Sequence, residues 1–240
     1  MRISIVIPVF NEEECIGPLL EEIAGLVALV PLADVVVVDD GSTDKTADAV
    51  LAIKGKLPGL RLVRHDSRRG QSTAIVTGAR EARGDLIVTL DGDGQNNPAD
   101  IPAVFAVYVH AARSDPRVMV AGQRLNRQDN NIRRFSSRVA NTVRSAVLDD
   151  GVRDTGCSLK LFRRADFLAL PLFNHIHRFI PALMKASGVN IVLADVSHRP
   201  RIRGKSKYGV WDRLWVGIYD LVGVSWLIRR MLARVEIKEQ

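Results

Sequence analysis

Four short apolar runs, ISIVIPV (3–9), VVVV (35–38), LRLV (60–63) and LIVTL (86–90), punctuate the first ninety residues of the chain. Between them, segments 12–29, 44–54 and 71–83 place apolar residues at helical spacing with charged positions on the other face. Runs that are apolar without alternation read as strands buried on both faces, the pattern of a parallel sheet covered by helices. The β-α-β-α-β-α-β order therefore predicts an α/β fold with a mostly parallel central sheet flanked by helices. Ligands of such sheets gather beyond the carboxyl ends of the strands. The polar clusters fall there: Asn11–Glu14, Asp39–Asp44 and Asp91–Asn97.

The second half is less regular. Asn97 followed by Pro98 reads as an N-cap with proline at the first helical position, opening a helix to about Ala112. A strand is expected over 117–121, a helix over 133–147, a strand over 158–162, a helix over 176–187 and a strand over 189–196. A basic loop, HRPRIRGKSKYG (198–209), then leads into an apolar stretch around 211–232. No internal repeat or low-complexity linker interrupts the chain. The expected division is one domain over 1–209 and an amphipathic helical appendage over 210–240.

Composition narrows the class. At 240 residues, 47% hydrophobic and 25% charged, the chain suits one folded domain with an appendage. Two cysteines, Cys15 and Cys157, cannot build a disulfide framework, which points to a reducing compartment. The start, MRISIVIPVFNEEE, lacks a secretory profile, and no apolar run is long enough to span a bilayer. The net charge of +7 is concentrated late: residues 199–240 carry ten Lys/Arg against four Asp/Glu, whereas 1–198 carry 24 against 23. Interleaved with Tyr208, Trp211, Trp215, Tyr219 and Trp226, this tail suits an anionic surface, and charge alone does not choose among lipid, phosphate and nucleic acid.

The local chemistry of the clusters is open when each is taken singly. Asp91-Gly-Asp93-Gly-Gln95 follows a strand, so its two carboxylates can offer hard oxygens to one divalent cation, or simply cap the next helix. Asp39-Asp40-Gly41-Ser42-Thr43-Asp44 can cradle a nucleotide or form an ordinary cap and tight turn. Phe10-Asn11-Glu12 after the first strand has the same two readings.

In combination the clusters are far more specific. IPVFNEEE, VVVVDDGSTD and GDLIVTLDGDGQNNP, in that order and spacing, resemble the inverting glycosyltransferase family 2, with its GT-A fold. GQRLNRQD (122–129), DTGCSLKLFRR (154–164), HRFIP (177–181) and the 198–209 loop are similar to the polyprenyl-phosphate branch of that family, and the likeness extends over about 1–221.

The resemblance implies roles for matching positions. Pro8, Phe10 and Glu12, with Asp39 or Asp40, would line the base and ribose; Phe10 stands where many relatives have Tyr. Asp91, Asp93 and Gln95 would hold a divalent cation, Mg²⁺ or Mn²⁺, and the donor diphosphate. Arg124 would meet the donor phosphates or sugar. Arg133 and Ser137, four apart on one helical face, would receive the acceptor lipid's phosphate. Arg201 and Lys207 would close over the diphosphate. Asp93, Arg124 and Arg201 are the residues expected to carry catalysis, and a UDP-sugar is preferred over GDP-mannose as donor.

That chemistry is self-consistent. A phosphate monoester already carries about −1.5 to −2 charge at neutral pH, so it attacks without a general base. It needs cations to hold two repelling anions in line. The expected partners are thus a nucleotide sugar, a polyprenyl phosphate, a membrane surface and a second copy of the chain, with no nucleic acid. Segment 214–228, short and interrupted by Asp220, should lie at the headgroup level on the cytoplasmic face or be buried against a partner. Two competing functions are a family 2 enzyme using a saccharide or glycolipid hydroxyl, which would need a base, and a non-catalytic basic module binding membrane or nucleic acid. Asp154 is expected to order the acceptor side, Cys157 to pack in the sheet, and His175 and His177 to serve structure or the acceptor rather than zinc.

Overall fold

The computed structural model describes residues 1–124, 147–148, 150–200 and 210–232, and for 210–216 the backbone alone. Seven strands form one sheet: β1 (Ile3–Val9), β2 (Leu32–Asp39), β3 (Leu60–Arg64), β4 (Leu86–Thr89), β5 (Val118–Arg124), β6 (Lys160–Arg163) and β7 (Asn190–Val196). Their order across the sheet is β3-β2-β1-β4-β6-β5-β7. β6 is antiparallel to both of its neighbours, and the remaining pairings are parallel. The helices are α1 (Ile16–Ala24), α2 (Thr46–Ile53), α3 (Gln71–Glu81), α4 (Ile101–Ala111), α5 (Arg164–Leu168), α6 (Ile180–Ala186) and α7 (Val210–Arg230).

Period-two geometry explains why the central strands are apolar throughout. On β1, Ile3, Ile5 and Ile7 enter a core with Ile16, Leu19 and Leu20 of α1, while Val6 enters the opposite core with Ile75 and Ala79 of α3. The second core also takes Phe162, Phe167 and Leu183. α3 lies close enough on β1 that a Cβ at Gly78 would sit 2.3 Å from Val6 Cγ1, so this crossing requires glycine.

Three expectations shift. Segment 60–63 is half-buried rather than covered on both faces, and among the described residues it is an edge strand with no partner on its far side. The helix expected over 176–187 is a 3-10 turn, Ile176–Arg178, and then α6. Pro181 in the first turn of α6 has no N–H to give an earlier carbonyl, so the two pieces cannot merge. Helix α5 was not foreseen; one turn of RADFL is too short for periodicity to declare it. The expected cap holds: Asn97 Oδ1 accepts from Ala99 N at 3.1 Å. The helix expected over 133–147 lies almost wholly outside the described residues.

α7 rests on the second core through Val224, with Leu221, Leu227, Ile228 and Met231 half-buried beside it. Asp220, the acid that interrupts its apolar stretch, meets His175 (Oδ2 to Nδ1, 2.8 Å). The outer face leaves Tyr219 82%, Val222 66% and Trp226 62% exposed.

Candidate active site

The carboxyl ends of β1, β2 and β4 lie at one edge of the sheet, and their exit loops are stitched together. Asn11, in the left-handed region at φ 54°, donates its N–H to Ser42 Oγ (2.9 Å) and accepts Thr43 N–H at Oδ1 (2.8 Å). Glu12 N–H donates to Thr46 Oγ1 (2.8 Å). The 39–44 turn passes so close to the 66–69 loop that a Cβ on Gly41, whose φ is +75°, would come within 2.8 Å of the Ser67 carbonyl carbon.

Asp39 and Asp40 are both buried and do different things. Asp40 is consumed by structure: Oδ1 receives His65 Nδ1 and Arg69 N, each at 2.8 Å, and Oδ2 receives Gly70 N at 2.7 Å. This clamp sets the start of α3, where Gly70 takes φ 92°. Asp39 Oδ1 accepts Ser42 N at 2.8 Å. Its Oδ2 has no hydrogen bond among the described residues, although Arg64 Nε stands 3.2 Å away as an ion pair. Phe10 has one ring face covered by the Arg68 guanidinium, 4.4 Å from its centroid.

The DGDGQ turn follows β4. Asp91 N–H donates to Ser158 Oγ (3.1 Å), and Asp91 Oδ1 accepts from Gln71 Nε2 (2.8 Å). Burial and the Asp93 charge push the Asp91 carboxyl up to about 6. A carboxyl whose proton affinity is raised by burial and by a neighbouring carboxylate fits a divalent cation, which would hold it in ionised form. Among the described residues no third His, Cys, Asp or Glu joins them. That donor set suits Mg²⁺ or Mn²⁺, which takes remaining ligands from water and substrate phosphates. Gln95 N–H donates to Asp93 Oδ1 (3.1 Å), and the Gln95 carbonyl accepts Arg199 N–H (3.0 Å). The basic segment thus departs from directly beside the acidic turn. Arg201 and Lys207 in that segment, like Arg133 and Ser137, lie outside the described residues.

Behind Asp91 is a cavity of about 180 Å³. Pro8 and Thr89 border it from the parallel strands, Gln71 and Ile75 from α3, and Gly156, Ser158 and Lys160 from the segment entering β6. His177, Arg178 and Ile180 close the remaining side. Lys160 is buried, its ammonium donating to the carbonyls of Cys157 and Thr155. Desolvation lowers its pKa. His177 Nδ1 meets Ser72 Oγ at 2.8 Å, and burial together with the Arg178 charge takes its pKa down to about 3. Arg124 and Asp154 form a two-pronged pair, Nε to Oδ2 at 2.6 Å and Nη2 to Oδ1 at 2.8 Å. Cys157 is packed in the core beside Asn96 Nδ2 (3.7 Å to Sγ).

Residues 4–170 match the family described as Glycosyl transferase family 2. The chain belongs to that family. Among its curated relatives, a dodecaprenyl-phosphate galacturonate synthase of Rhizobium johnstonii is 36% identical over 95% of this chain and 68% of its own. An undecaprenyl-phosphate 4-deoxy-4-formamido-L-arabinose transferase of Edwardsiella ictaluri is 35% identical over 92% and 66%. The chain thus spans about two thirds of the length of these relatives. Among solved structures, glucosyl-3-phosphoglycerate synthase of Mycobacterium tuberculosis, in complex with Mg²⁺ and uridine diphosphate, superposes with a TM-score of 0.70 at 20% identity, covering 95% of this chain and 79% of that one. The fold is GT-A, as the sequence motifs implied, and the chain is a glycosyltransferase.

The family 2 motifs brought Pro8, Asp91 and the DGDGQ turn to one edge as expected. They did not single out Ser158, Lys160 or Arg178. Lys160 sat in DTGCSLKLFRR as an unremarked basic residue. Its only sequence signal is that a lysine occupies an otherwise apolar strand.

Proposed function

We propose that this family 2 enzyme transfers a sugar from a nucleoside diphosphate, UDP by preference, to the phosphate of a polyprenyl lipid, with inversion at the anomeric carbon. The feature that carries the reading is a cavity whose described lining has two cations and, apart from Asp91, which the cation would occupy, no carboxylate. Asp154 is held by Arg124, Asp40 is spent on the 65–70 loop, and His177 with a pKa near 3 is a feeble proton acceptor at neutral pH. A hydroxyl acceptor would need a base that these groups do not supply. A phosphate monoester needs none.

Asp39 Oδ2, buried and without a hydrogen bond among the described residues, suits an N–H of the nucleobase, and Pro8, Phe10 and Glu12 would complete the wall around base and ribose. Asp91, Asp93 and Gln95 would hold Mg²⁺ or Mn²⁺, whose charge, when bound, offsets that of the departing diphosphate. Arg124 would address the donor from β5. Arg133 and Ser137 would receive the acceptor phosphate, and Arg201 and Lys207 would close over the diphosphate from a segment anchored at Gln95. The relatives' names, both polyprenyl-phosphate enzymes, support the acceptor.

Among the described residues no helix is long and apolar enough to cross a membrane. The exposed Tyr219, Val222 and Trp226 of α7, close to Arg229 and Arg230, suit peripheral attachment to the cytoplasmic face or pairing with a second copy, with 210–240 acting as an appendage to a 1–209 catalytic domain. The test is transfer of labelled sugar from UDP- and GDP-sugars into organic-extractable undecaprenyl phosphate with Mg²⁺ or Mn²⁺. Label in the lipid phase, lost in Asp93→Ala, is the expected result; transfer only to a saccharide hydroxyl would displace the reading.

A further inference from the structure

The charges lining the cavity behind Asp91 do not balance. Among the described residues that line it, Asp91 is the one carboxylate, against two cations, Lys160 and Arg178. His177 adds no charge, since its ring is neutral at physiological pH. Arg124 and Asp154 form an ion pair nearby, and the Asp91 and Asp154 charges act on Lys160 from a distance without contacting it. Asp91 is also committed elsewhere, to Gln71 and to the cation site with Asp93.

Lys160 is the more informative of the two cations. It is 4% exposed, and a buried ammonium is costly unless its donors and its charge are met. The carbonyls of Cys157 and Thr155 meet two of its three donors without neutralising it. Among the described residues no carboxylate makes an ion pair with it. Arg178 stands across the cavity on the 3-10 turn, likewise without a side-chain partner among the described residues. A cavity of about 180 Å³ has the volume of roughly six liquid waters, the scale of a single sugar ring. It opens beside Pro8, Gln71 and Asp91, which is the side where the donor is held.

We propose that this cavity selects a donor sugar bearing a carboxylate, a uronic acid, whose anionic group lies between Lys160 and Arg178. The inference rests on the nucleotide-sugar reading above and specifies the sugar class. The same oxyanion chemistry would also serve the acceptor's phosphate, so the experiment separates the two sources.

Binding of UDP-glucuronate, UDP-galacturonate, UDP-glucose and UDP-galactose to the intact chain is measured by calorimetry with Mn²⁺ present. Loss of a charge-assisted hydrogen bond is worth about tenfold, so the uronates should bind at least about tenfold more tightly than the neutral sugars. In Lys160→Gln that ratio should fall towards one. Because Lys160 is buried, Arg178→Gln on the partly exposed turn serves as a second variant, with the same expected fall. Equal or better binding of the neutral sugars by the unaltered chain overturns the proposal. So does a preference that survives both substitutions. If the variants instead raise the KM for undecaprenyl phosphate with the sugar preference intact, the cations serve the acceptor and the proposal fails. Transfer of a neutral sugar to the lipid without uronate preference removes this inference and leaves the acceptor reading standing; a uronate preference in binding without lipid transfer does the reverse.

Discussion

Arg124 and Asp154, thirty residues apart, meet through two parallel hydrogen bonds of 2.6 and 2.8 Å. The pair joins the end of β5 to the segment that enters β6, and both side chains are nearly buried. It braces β5 against the segment whose Thr155 and Gly156 line the cavity, and occupies the carboxylate best placed to be mistaken for a general base.

Removing one partner should therefore be worse than removing both. Asp154→Ala takes both of these hydrogen bonds from a nearly buried guanidinium and should cost about 3–5 kcal/mol of stability, read from urea unfolding. Arg124→Met combined with Asp154→Leu should recover most of that loss while transfer stays low. A stability loss below about 1 kcal/mol in the single variant would show the pair to be solvated.

The Asp91 carboxyl sets a pH dependence whose sign can be worked out. Its pKa is raised from 3.8 to about 6, so the fold favours its protonated form. The corresponding stability is present below about pH 4 and is lost as pH rises through 6. Cation binding runs the other way, because the cation needs the carboxylate. The affinity for Mn²⁺ should rise about tenfold between pH 5 and 7.5 and then level off, as measured by calorimetry. A flat profile would take Asp91 out of the cation site. Asp93→Ala should abolish transfer at any pH.

Gly41→Ala tests the wall assigned to the nucleotide. A Cβ at φ +75° and 2.8 Å from the Ser67 backbone forces the 39–44 turn and the 66–69 loop apart. The expected result is a stability loss of about 1–3 kcal/mol with weaker UDP binding, followed by thermal melting and titration. Unchanged UDP affinity in a destabilised protein would place the base elsewhere.

The outer face of α7 makes a separate prediction. Trp226→Ser should reduce co-sedimentation with vesicles containing anionic lipid several-fold, and raising the salt should weaken binding of the unaltered chain. If neither has an effect and the oligomeric state of Trp226→Ser changes instead, the face pairs with a second copy.

Most of the sheet was legible because its central strands are short apolar runs separated by helical patterns, the alternation that a sheet covered on both faces produces. The acidic turn and the 39–44 turn were legible because their chemistry is local in sequence. What escaped depends on distance along the chain. Nothing in RADFL declares a helix. Nothing in HIHRF says that His175 takes φ 67° to reach Asp220, forty-five residues on. Lys160 becomes a site residue only once β6 is reversed and paired with β4, which sets Lys160 opposite Thr89. Asp40 looks interchangeable with Asp39 in the sequence, and only the fold shows that it holds the 65–70 loop through three hydrogen bonds.

The reversal of β6 has a consequence for how this scaffold can diversify. β1, β2 and β4 deliver their site residues from loops that leave the strands, and each loop must also launch the next helix. Residues 154–159 arrive at the same edge by entering a strand, so they launch nothing. What ties that segment down instead is its side chains, Asp154 on Arg124, Ser158 on the Asp91 N–H and Cys157 in the core, so a change there is felt at the cavity wall and the acidic turn before it is felt in any helix.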